Sequence, residues 1–409
     1  MKMKLTMNIL IITKHFYPYN RIASFRINSF AKYFHEAGHS VTVVTEGECD
    51  ETALWNGCEV YYIKDPMMTP AYLFKQIQLN KKWTPRRVVR ALEARIFLKG
   101  PCIWRAKAYK KIEELFQRND FDVVLSSFGP LTPHALVMKL LKRGYKFFWV
   151  ADMRDEMSKH PVYSKIYAKR LSFYERKILE KADLVLSVSK PLIDDFKTMC
   201  SHERFLEVRN GYDYEECHEV NFQSQFTMGY IGRFYGMAIP DNLFNAFSEL
   251  IEEGRLPENS RIKIVGNHRH VDVPGRISSN VIQCKAVPHE EAIRISTTEV
   301  DTLVMVHSSG RKGVYSGKLF DYLATNKPIL ALYDPNDVVA PLLAETKAGF
   351  IVDDADKEGI KNMIMKCYQI WKNKEVLPRD WDKIKQYSRR NQVQILLDYL
   401  SANYRGKNS

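Results

Sequence analysis

The sequence predicts an α/β protein made of two doubly wound, Rossmann-like domains, each built on a parallel sheet. Short apolar runs alternate with helical patterns along the chain, which is typical of parallel sheets. The alternation stops at a polar stretch, residues 217–224, and then restarts. The length of 409 residues suits two or three domains of about 150 residues each. Because ligands bind at the carboxyl ends of parallel strands, two such sheets predict a cleft between facing edges.

The elements of the first domain follow in order. Residues 8–12 and 40–45 are predicted as buried strands on either side of a helix over residues 25–37, which Gly38 ends. Three further strands are predicted at 123–126, 146–151 and 184–188, with helices from Pro133, over 164–181 and from Lys190. An extended segment at 205–208 precedes the polar stretch.

The second domain repeats the alternation. Strands are predicted at 227–231, 262–265, 302–306 and 329–332, with helices from Asp241, from His289 and from Ser316. The last thirty residues have a helical pattern. We therefore assign residues 1–215 to an N-terminal domain and 222–378 to a C-terminal domain. Residues 379–409 are predicted to form helices that pack back on the N-terminal domain.

The helix that opens at Ser316 has the pattern with the clearest chemistry. Gly317 and Lys318 lie in its first turn, and Asp321 follows one turn later on the same face as Lys318. Free amides at a helix N-terminus, together with a lysine, suit a phosphate group. The acid can accept hydrogen bonds from a ribose. An amphipathic helix alone would explain the apolar residues but not this pairing.

Composition restricts the class of protein. No run approaches the roughly 18 apolar residues of a membrane-spanning helix, and the apolar stretch 8–12 is too short for a signal peptide. Either Met1 or Met7 fits as the start. The seven cysteines show neither C-x-x-C nor a His/Cys cluster at metal spacing. We therefore expect a cytoplasmic protein without a structural metal.

Basic charge is concentrated in residues 75–111. This segment has twelve basic residues and one acid, Glu93, which is 12 − 1 = +11 of the total formal charge of +13. Large apolar residues are interleaved with them: Trp83, Ile96, Phe97, Leu98, Ile103 and Trp104. A solvated helical face, a nucleic-acid surface and a patch that docks on anionic lipid are the alternatives. Two tryptophans favour lipid over a solvated face, and no nucleic-acid-binding module is present.

Ordered landmarks resemble family 4 of the GT-B glycosyltransferases, and in particular bacterial polysaccharide-assembly members. They cover nearly the whole chain except about residues 50–115. The landmarks are Phe16-Tyr17-Pro18, Arg26, Ala37-Gly38-His39, residues 130–134, Ala151-Asp152-Met153-Arg154-Asp155, Ala182-Asp183-Leu184, Arg209-Asn210-Gly211, residues 229–233 and the helix that opens at Ser316.

The resemblance implies roles for single residues. In the C-terminal domain, Arg233 would clamp the diphosphate of a nucleotide sugar, Ser316, Gly317 and Lys318 would add the second phosphate contact, and Asp321 would hold the ribose. In the N-terminal domain, the resemblance implies a catalytic neighbourhood containing His134 and Asp155. Arg154 and Arg26 are expected on the acceptor side, while a merely buried histidine remains the alternative for His134.

The sequence also departs from the family in two places. Family 4 has a second acid eight positions before the ribose-binding acid, and here that position is Gly313. The customary lysine five residues after the clamping arginine is Ala238. Lys318 offers a replacement for that lysine, whereas the missing acid has no evident substitute.

The resemblance implies a retaining, metal-independent transferase for capsule or O-antigen synthesis, without a cofactor. A UDP-sugar is the expected donor and a lipid-linked glycan the expected acceptor. We expect it on the inner face of the cell membrane as a peripheral protein that binds no nucleic acid. A GT-B nucleotide-sugar epimerase and a non-catalytic GT-B scaffold remain alternatives.

Overall fold

The computed structural model describes residues 6–19, 22–65, 102–129, 131–159, 164–234, 240–266, 270–307 and 312–404. The chain forms two compact units. One consists of Met1–Arg209 with Arg389–Ser409, and the other of Asn210–Ser388.

The described part of the N-terminal unit contains one eight-stranded sheet. Its strands are β1 (Asn8–Ile12), β2 (Ser40–Gly47), β3 (Glu51–Trp55), β4 (Cys58–Lys64), β5 (Val123–Ser127), β6 (Phe148–Arg154), β7 (Leu184–Ser187) and β8 (Phe205–Glu207). Its helices include α1 (Ile22–Glu36), α2 (Cys102–Arg118), α3 (Thr132–Lys142), α4 (Lys165–Lys181) and α5 (Lys190–Lys197). The strand order is β3-β4-β2-β1-β5-β6-β7-β8. Every pair is parallel except β3 with β4.

The antiparallel hairpin of β3 and β4 was not predicted. Asn56 and Gly57 connect the two strands, and both have a positive φ, 45° and 77°. Asn-Gly is the residue pair that tight hairpin turns favour, because both central residues must adopt such angles. The signal was therefore present in the sequence, but it lies outside the region of family resemblance.

The described part of the C-terminal unit contains a six-stranded parallel sheet. Its strands are β9 (Thr227–Ile231), β10 (Arg261–Val265), β11 (Val281–Cys284), β12 (Thr302–Val306), β13 (Ile329–Leu332) and β14 (Gly349–Val352). Its helices include α6 (Asp241–Glu252), α7 (His289–Thr298), α8 (Gly317–Leu323), α9 (Val339–Thr346), α10 (Lys357–Lys372) and α11 (Trp381–Lys385). The strand order is β11-β10-β9-β12-β13-β14. The α/β class and the doubly wound sheets are confirmed.

Only the four central strands of this sheet were predicted. Three of them, β9, β12 and β13, are entirely buried and mostly apolar, as expected when helices cover both faces. The fourth, β10, has the sequence RIKIV, with Ile262, Ile264 and Val265 buried. The outer strands β11 and β14 are four residues long and mostly half-buried. Strand β13 is equally short but fully buried, so the partial burial of β11 and β14 is what separates them from the strands that the sequence pattern revealed.

The chain returns to the N-terminal unit only after residue 388. Trp381 and Ile384 pack in the core of the C-terminal unit, so α11 belongs there, although we predicted the return from residue 379. The last helix, α12 (Arg389–Asn403), packs its apolar residues against α1 in the N-terminal unit. The buried residues of α12 that form this contact are Val393, Leu396, Leu397 and Leu400.

Most of the basic segment 75–111 lies outside the described residues, which resume in α2. Trp104 is fully buried in the core of the N-terminal unit, so this tryptophan does not face a membrane as we had predicted. Ile103 is 47% exposed, and Lys107 pairs with Asp50 at 2.9 Å. Among the described residues, none of the helices has the length and apolar character needed to span a bilayer.

Candidate functional site

The candidate phosphate site lies at the switch point of the C-terminal sheet. Strands β9 and β12 are neighbours, but β10 and β11 extend the sheet on one side and β13 and β14 on the other. Loops that follow the two strands therefore lie at the same edge, where doubly wound sheets bind ligands. Gly232 and Arg233 follow β9, and the loop after β12 leads to Ser316 and α8.

Lys318 lies between these two loops. Its Nζ donates to Tyr230 Oη at 3.0 Å and to the backbone oxygen of Arg233 at 3.3 Å. Burial lowers the pKa of Lys318 to about 8, against the opposing effect of the nearby Asp321 carboxylate. Lys318 therefore lies against the backbone of Arg233, and the role of both side chains in phosphate binding stays a prediction.

Gly232 provides the space that Lys318 occupies. Its φ is 137°, a conformation that residues with a side chain rarely adopt. A Cβ at this position would lie 2.0 Å from Lys318 Cε. Glycine is therefore required at position 232 if Lys318 is to keep its place.

Asp321 points one carboxylate oxygen at a histidine that the sequence analysis did not identify. Its Oδ2 lies 3.1 Å from Nε2 of His289, the first residue of α7. Its Oδ1 is buried and has no hydrogen-bond partner among the described residues. A buried acceptor without a donor is costly, so Oδ1 is suited to a ligand hydroxyl. No motif marks His289, because it comes close to Asp321 only through the tertiary fold.

Helix α8 is fixed to β9 from within the unit. The Tyr322 hydroxyl accepts a hydrogen bond from the Ile231 amide at 2.9 Å, and the Tyr214 hydroxyl donates to the backbone oxygen of Asp321. Ser316 precedes the helix in an extended conformation, and its hydroxyl makes no capping bond. Lys318 and Asp321 are therefore positioned by a helix of seven residues whose C-terminal half is hydrogen-bonded to β9 and to Tyr214.

Gly313 occupies the place of the missing family acid. Its φ is 75°, and its amide donates to Asp337 Oδ1 at 2.8 Å. A left-handed backbone favours glycine over glutamate, so the substitution and the loop conformation agree. Within the described ranges, no group of three or more His, Cys, Asp or Glu side chains could hold a metal ion.

In the N-terminal unit, Arg26 lies in the interior and not on the acceptor side, where we had expected it. Its guanidinium donates to Asp152 through Nε at 3.1 Å and through Nη2 at 2.9 Å. Its Nη1 donates to the backbone oxygens of Val208 and Arg209 at 2.8 and 3.1 Å. Arg26 therefore joins α1, β6 and the segment after β8, and a buried pair of this kind is well suited to fixing that arrangement.

His134 is also buried, which is the alternative that the sequence analysis left open. Its Nδ1 lies 2.7 Å from Ser126 Oγ, which also accepts from Trp149 Nε1 at 2.8 Å. Its Nε2 is buried without a hydrogen-bond partner among the described residues. Burial lowers the pKa of His134 to about 4, although the charge of Asp152 opposes this. The imidazole is therefore neutral at pH 7.

The buried imidazole should make the protein sensitive to mild acid. Below pH 6.5 the unfolded chain binds a proton at His134 that the folded chain does not bind until about pH 4. Stability is therefore lost as the pH falls through this window, by about 2 kcal/mol between pH 7 and pH 5. Urea unfolding at the two pH values should show this loss in the wild type and a smaller one in His134→Gln. Equal losses in both proteins would contradict the assignment.

Arg154 is the last residue of β6, and Asp155 follows it at the carboxyl end of that strand. Arg154 has a φ of 59°, and the register of β6 with β7 shifts between Asp152 and Arg154. Arg154 Nη2 lies 3.6 Å from Asp155 Oδ2. The buried carboxylate of Glu175, which the sequence analysis missed, accepts from the amides of Met157 and Ser158 and so fixes the loop that follows.

Comparisons with known proteins agree with this architecture. Residues 23–216 match the model of Glycosyltransferase Family 4. Sucrose-phosphate synthase of Thermosynechococcus elongatus is 13% identical, with a TM-score of 0.62 over 97% of this chain and 96% of its own. HepE of Anabaena, solved with UDP-glucose, is 14% identical, with a TM-score of 0.60 over 97% of this chain and 100% of its own.

A third similar structure is the lipopolysaccharide outer core galactosyltransferase WaaB. It is 11% identical, with a TM-score of 0.58 over 97% of this chain and 99% of its own. No curated protein is significantly similar to the chain. At these identities, the solved structures establish the GT-B fold.

Proposed function

We propose that the chain, which has the GT-B fold and matches Glycosyltransferase Family 4 over residues 23–216, is a glycosyltransferase that transfers a sugar from a UDP-sugar to a lipid-linked glycan with retention of configuration. The product would be a surface polysaccharide such as capsule or O-antigen. The observation that carries the donor assignment is the buried Oδ1 of Asp321, one turn from Lys318, which has no hydrogen-bond partner within the described ranges. HepE, which has the same fold, was solved with UDP-glucose.

The chemistry of the donor site follows from its charges. Cleavage of the bond between sugar and diphosphate leaves negative charge on the departing phosphate. Arg233 and Lys318 would stabilise that charge without a metal, through groups already in place. Arg233 suits the diphosphate because its planar guanidinium can bind two oxygens at once. Ser316 and Gly317 would contribute backbone amides, and Asp321 would accept hydrogen bonds from the ribose.

The acceptor side is proposed to use Asp155 and Arg154. Arg154 is the last residue of β6 and Asp155 follows it, at the edge of the N-terminal sheet where its strands end, and Glu175 fixes the loop beyond them. His134, which is fully buried, would shape the start of α3 as a neutral group and not touch the sugar. Arg26 would support the same edge through Asp152.

A thermal-shift panel of UDP-, GDP-, ADP- and CMP-sugars tests the donor class. We expect stabilisation by UDP-sugars, because a ligand that binds only the folded state raises its stability. Product analysis with donor alone then separates the alternatives. A changed sugar on the nucleotide, formed without an acceptor, would identify an epimerase, and no turnover with any donor and acceptor would identify a scaffold.

The basic segment 75–111 is proposed to hold the protein on the inner face of the cell membrane. Replacing five basic residues with glutamine should lower binding to phosphatidylglycerol vesicles by at least about tenfold, since each contributes roughly 1 kcal/mol near an anionic surface. The residues are Lys81, Lys82, Arg86, Arg87 and Arg90. Co-sedimentation measures the loss.

The matched control removes five exposed lysines from the C-terminal unit instead. They are Lys347, Lys357, Lys372, Lys374 and Lys383. This variant should bind vesicles like the wild type. An equal loss in both variants would show that net charge alone, and not the segment, determines binding.

A further inference from the structure

Helix α4 presents two different faces. Its inner residues, among them Leu171, Ile178 and Leu179, are buried in the core of the N-terminal unit. These positions account for the apolar residues that hold the helix in place. The outer face is exposed among the described residues, yet it also contains large apolar side chains.

The centre of the outer face is a single stripe. Ile166 is 78% exposed and Phe173 is 57% exposed. Arg170 and Lys177 lie on the same line, because the four residues are spaced at i, i+4, i+7 and i+11 along a helix. Lys177 Nζ lies 4.1 Å from the centre of the Phe173 ring. Apolar and basic side chains therefore alternate along one line.

The flanks of the stripe are also basic. The exposed charged residues of α4 comprise six bases and one acid, which is 6 − 1 = +5. The bases are Lys165, Lys169, Arg170, Arg176, Lys177 and Lys181, and the acid is Glu180. Glu175 does not count here because its carboxylate is buried against residues 157–158. The outer face is therefore a strongly basic surface with two apolar side chains at its centre.

We propose that the outer face of α4 docks on an anionic lipid surface. An anionic bilayer can interact with both kinds of side chain. Its negative headgroups attract the bases, and the apolar layer just beneath them can bury Ile166 and Phe173. The Lys177 ammonium lies over the exposed Phe173 ring and can reach headgroup phosphates from there. A nucleic-acid backbone would satisfy the bases but would leave both apolar side chains without an apolar partner.

This proposal deepens the peripheral placement proposed above, and it rests on that placement. It assigns the contact to a helix outside the basic segment 75–111, with known orientation in its unit. Helix α4 begins in the connection that follows Arg154 and Asp155. Docking through α4 would therefore hold the proposed acceptor-side loop close to the lipid that carries the acceptor.

Two double variants test the proposal with the full-length protein. Ile166→Ser with Phe173→Ser removes the apolar part, and Lys169→Glu with Arg176→Glu reverses two charges. Each should lower co-sedimentation with phosphatidylcholine–phosphatidylglycerol vesicles by about tenfold or more. Wild-type binding to phosphatidylcholine alone should be weak, because the zwitterionic surface lacks the negative potential.

Matched controls separate this surface from general effects. Leu54→Ser removes an apolar side chain that is also 78% exposed in the same unit. Lys142→Glu with Lys146→Glu reverses two exposed charges elsewhere in that unit. Both controls should bind vesicles like the wild type. Unchanged binding by the α4 variants, equal losses in the controls, or no wild-type binding to anionic vesicles would each overturn the proposal.

Donor binding is measured on the same preparations. Calorimetric affinity for UDP-glucose should be unchanged in the α4 variants, which shows that they are folded. A protein that binds vesicles through α4 but binds none of the sugar nucleotides would refute the proposed donor function and leave the docking surface intact. If the α4 variants bind vesicles as well as the wild type while UDP-glucose binding is intact, the docking surface is refuted and the proposed donor function stands.

Discussion

Asp321→Ala is expected to abolish calorimetrically detectable binding of UDP-glucose. The Asp321 carboxylate has a buried oxygen, Oδ1, without a partner among the described residues, and hydrogen bonds to a charged group contribute about 1.5–3 kcal/mol each. Two ribose hydroxyls would therefore account for at least about a hundredfold in affinity. The alanine variant retains the apolar residues of α8, so the helix should still form.

Two further variants show whether the carboxylate itself is needed. Asp321→Asn keeps the shape and one acceptor oxygen but removes the charge, so its affinity should lie between those of the wild type and the alanine variant. His289→Phe removes the 3.1 Å contact to Oδ2 while leaving Oδ1 in place. It should weaken binding less than Asp321→Ala does. Wild-type affinity in Asp321→Ala would refute the donor-site assignment.

Local pattern was enough for the central strands and for α8. Strands β9, β10, β12 and β13 are largely buried and rich in Val, Ile, Leu and Met, and the sequence identifies them without tertiary information. Gly317, Lys318 and Asp321 were likewise predicted together, because one helical turn separates them. The edge strands β11 and β14 and the β3–β4 hairpin were missed because their burial is partial or their pattern short.

Long-range neighbours explain the errors at the site. Arg26 and Asp152 are 126 positions apart, and nothing in the local sequence around either shows that they pair. His289 and Asp321 are 32 positions apart in the sequence. They come together because α7 and α8 begin at the same edge of the C-terminal sheet. The sequence also does not show which polar side chains are buried. The loop position of His134 suggested a sugar contact, whereas the packing of Ser126 and Trp149 around it places it in the core.

Gly232→Ala is expected to lower donor affinity about a hundredfold, because it displaces Lys318 from the diphosphate position. The new Cβ would lie 2.0 Å from Lys318 Cε, and 3.1 Å from both Cδ and Nζ. A lysine side chain is flexible, so the clash is relieved by moving the ammonium away from Tyr230 Oη and the Arg233 carbonyl. The loss should therefore fall on ligand binding more than on folding.

Gly254→Ala is the matched control, because Gly254 also has a positive φ, 68°, but no atom lies within 4 Å of the Cβ that alanine would add. Both variants carry the backbone cost of placing alanine at positive φ, about 1 kcal/mol or more in stability. Only Gly232→Ala should lose affinity for UDP-glucose. If the effect passes through Lys318, then Gly232→Ala combined with Lys318→Ala should bind no more weakly than Lys318→Ala alone. If the losses of UDP-glucose affinity add up in the double variant, Gly232 contributes through its own backbone and not by leaving space for Lys318.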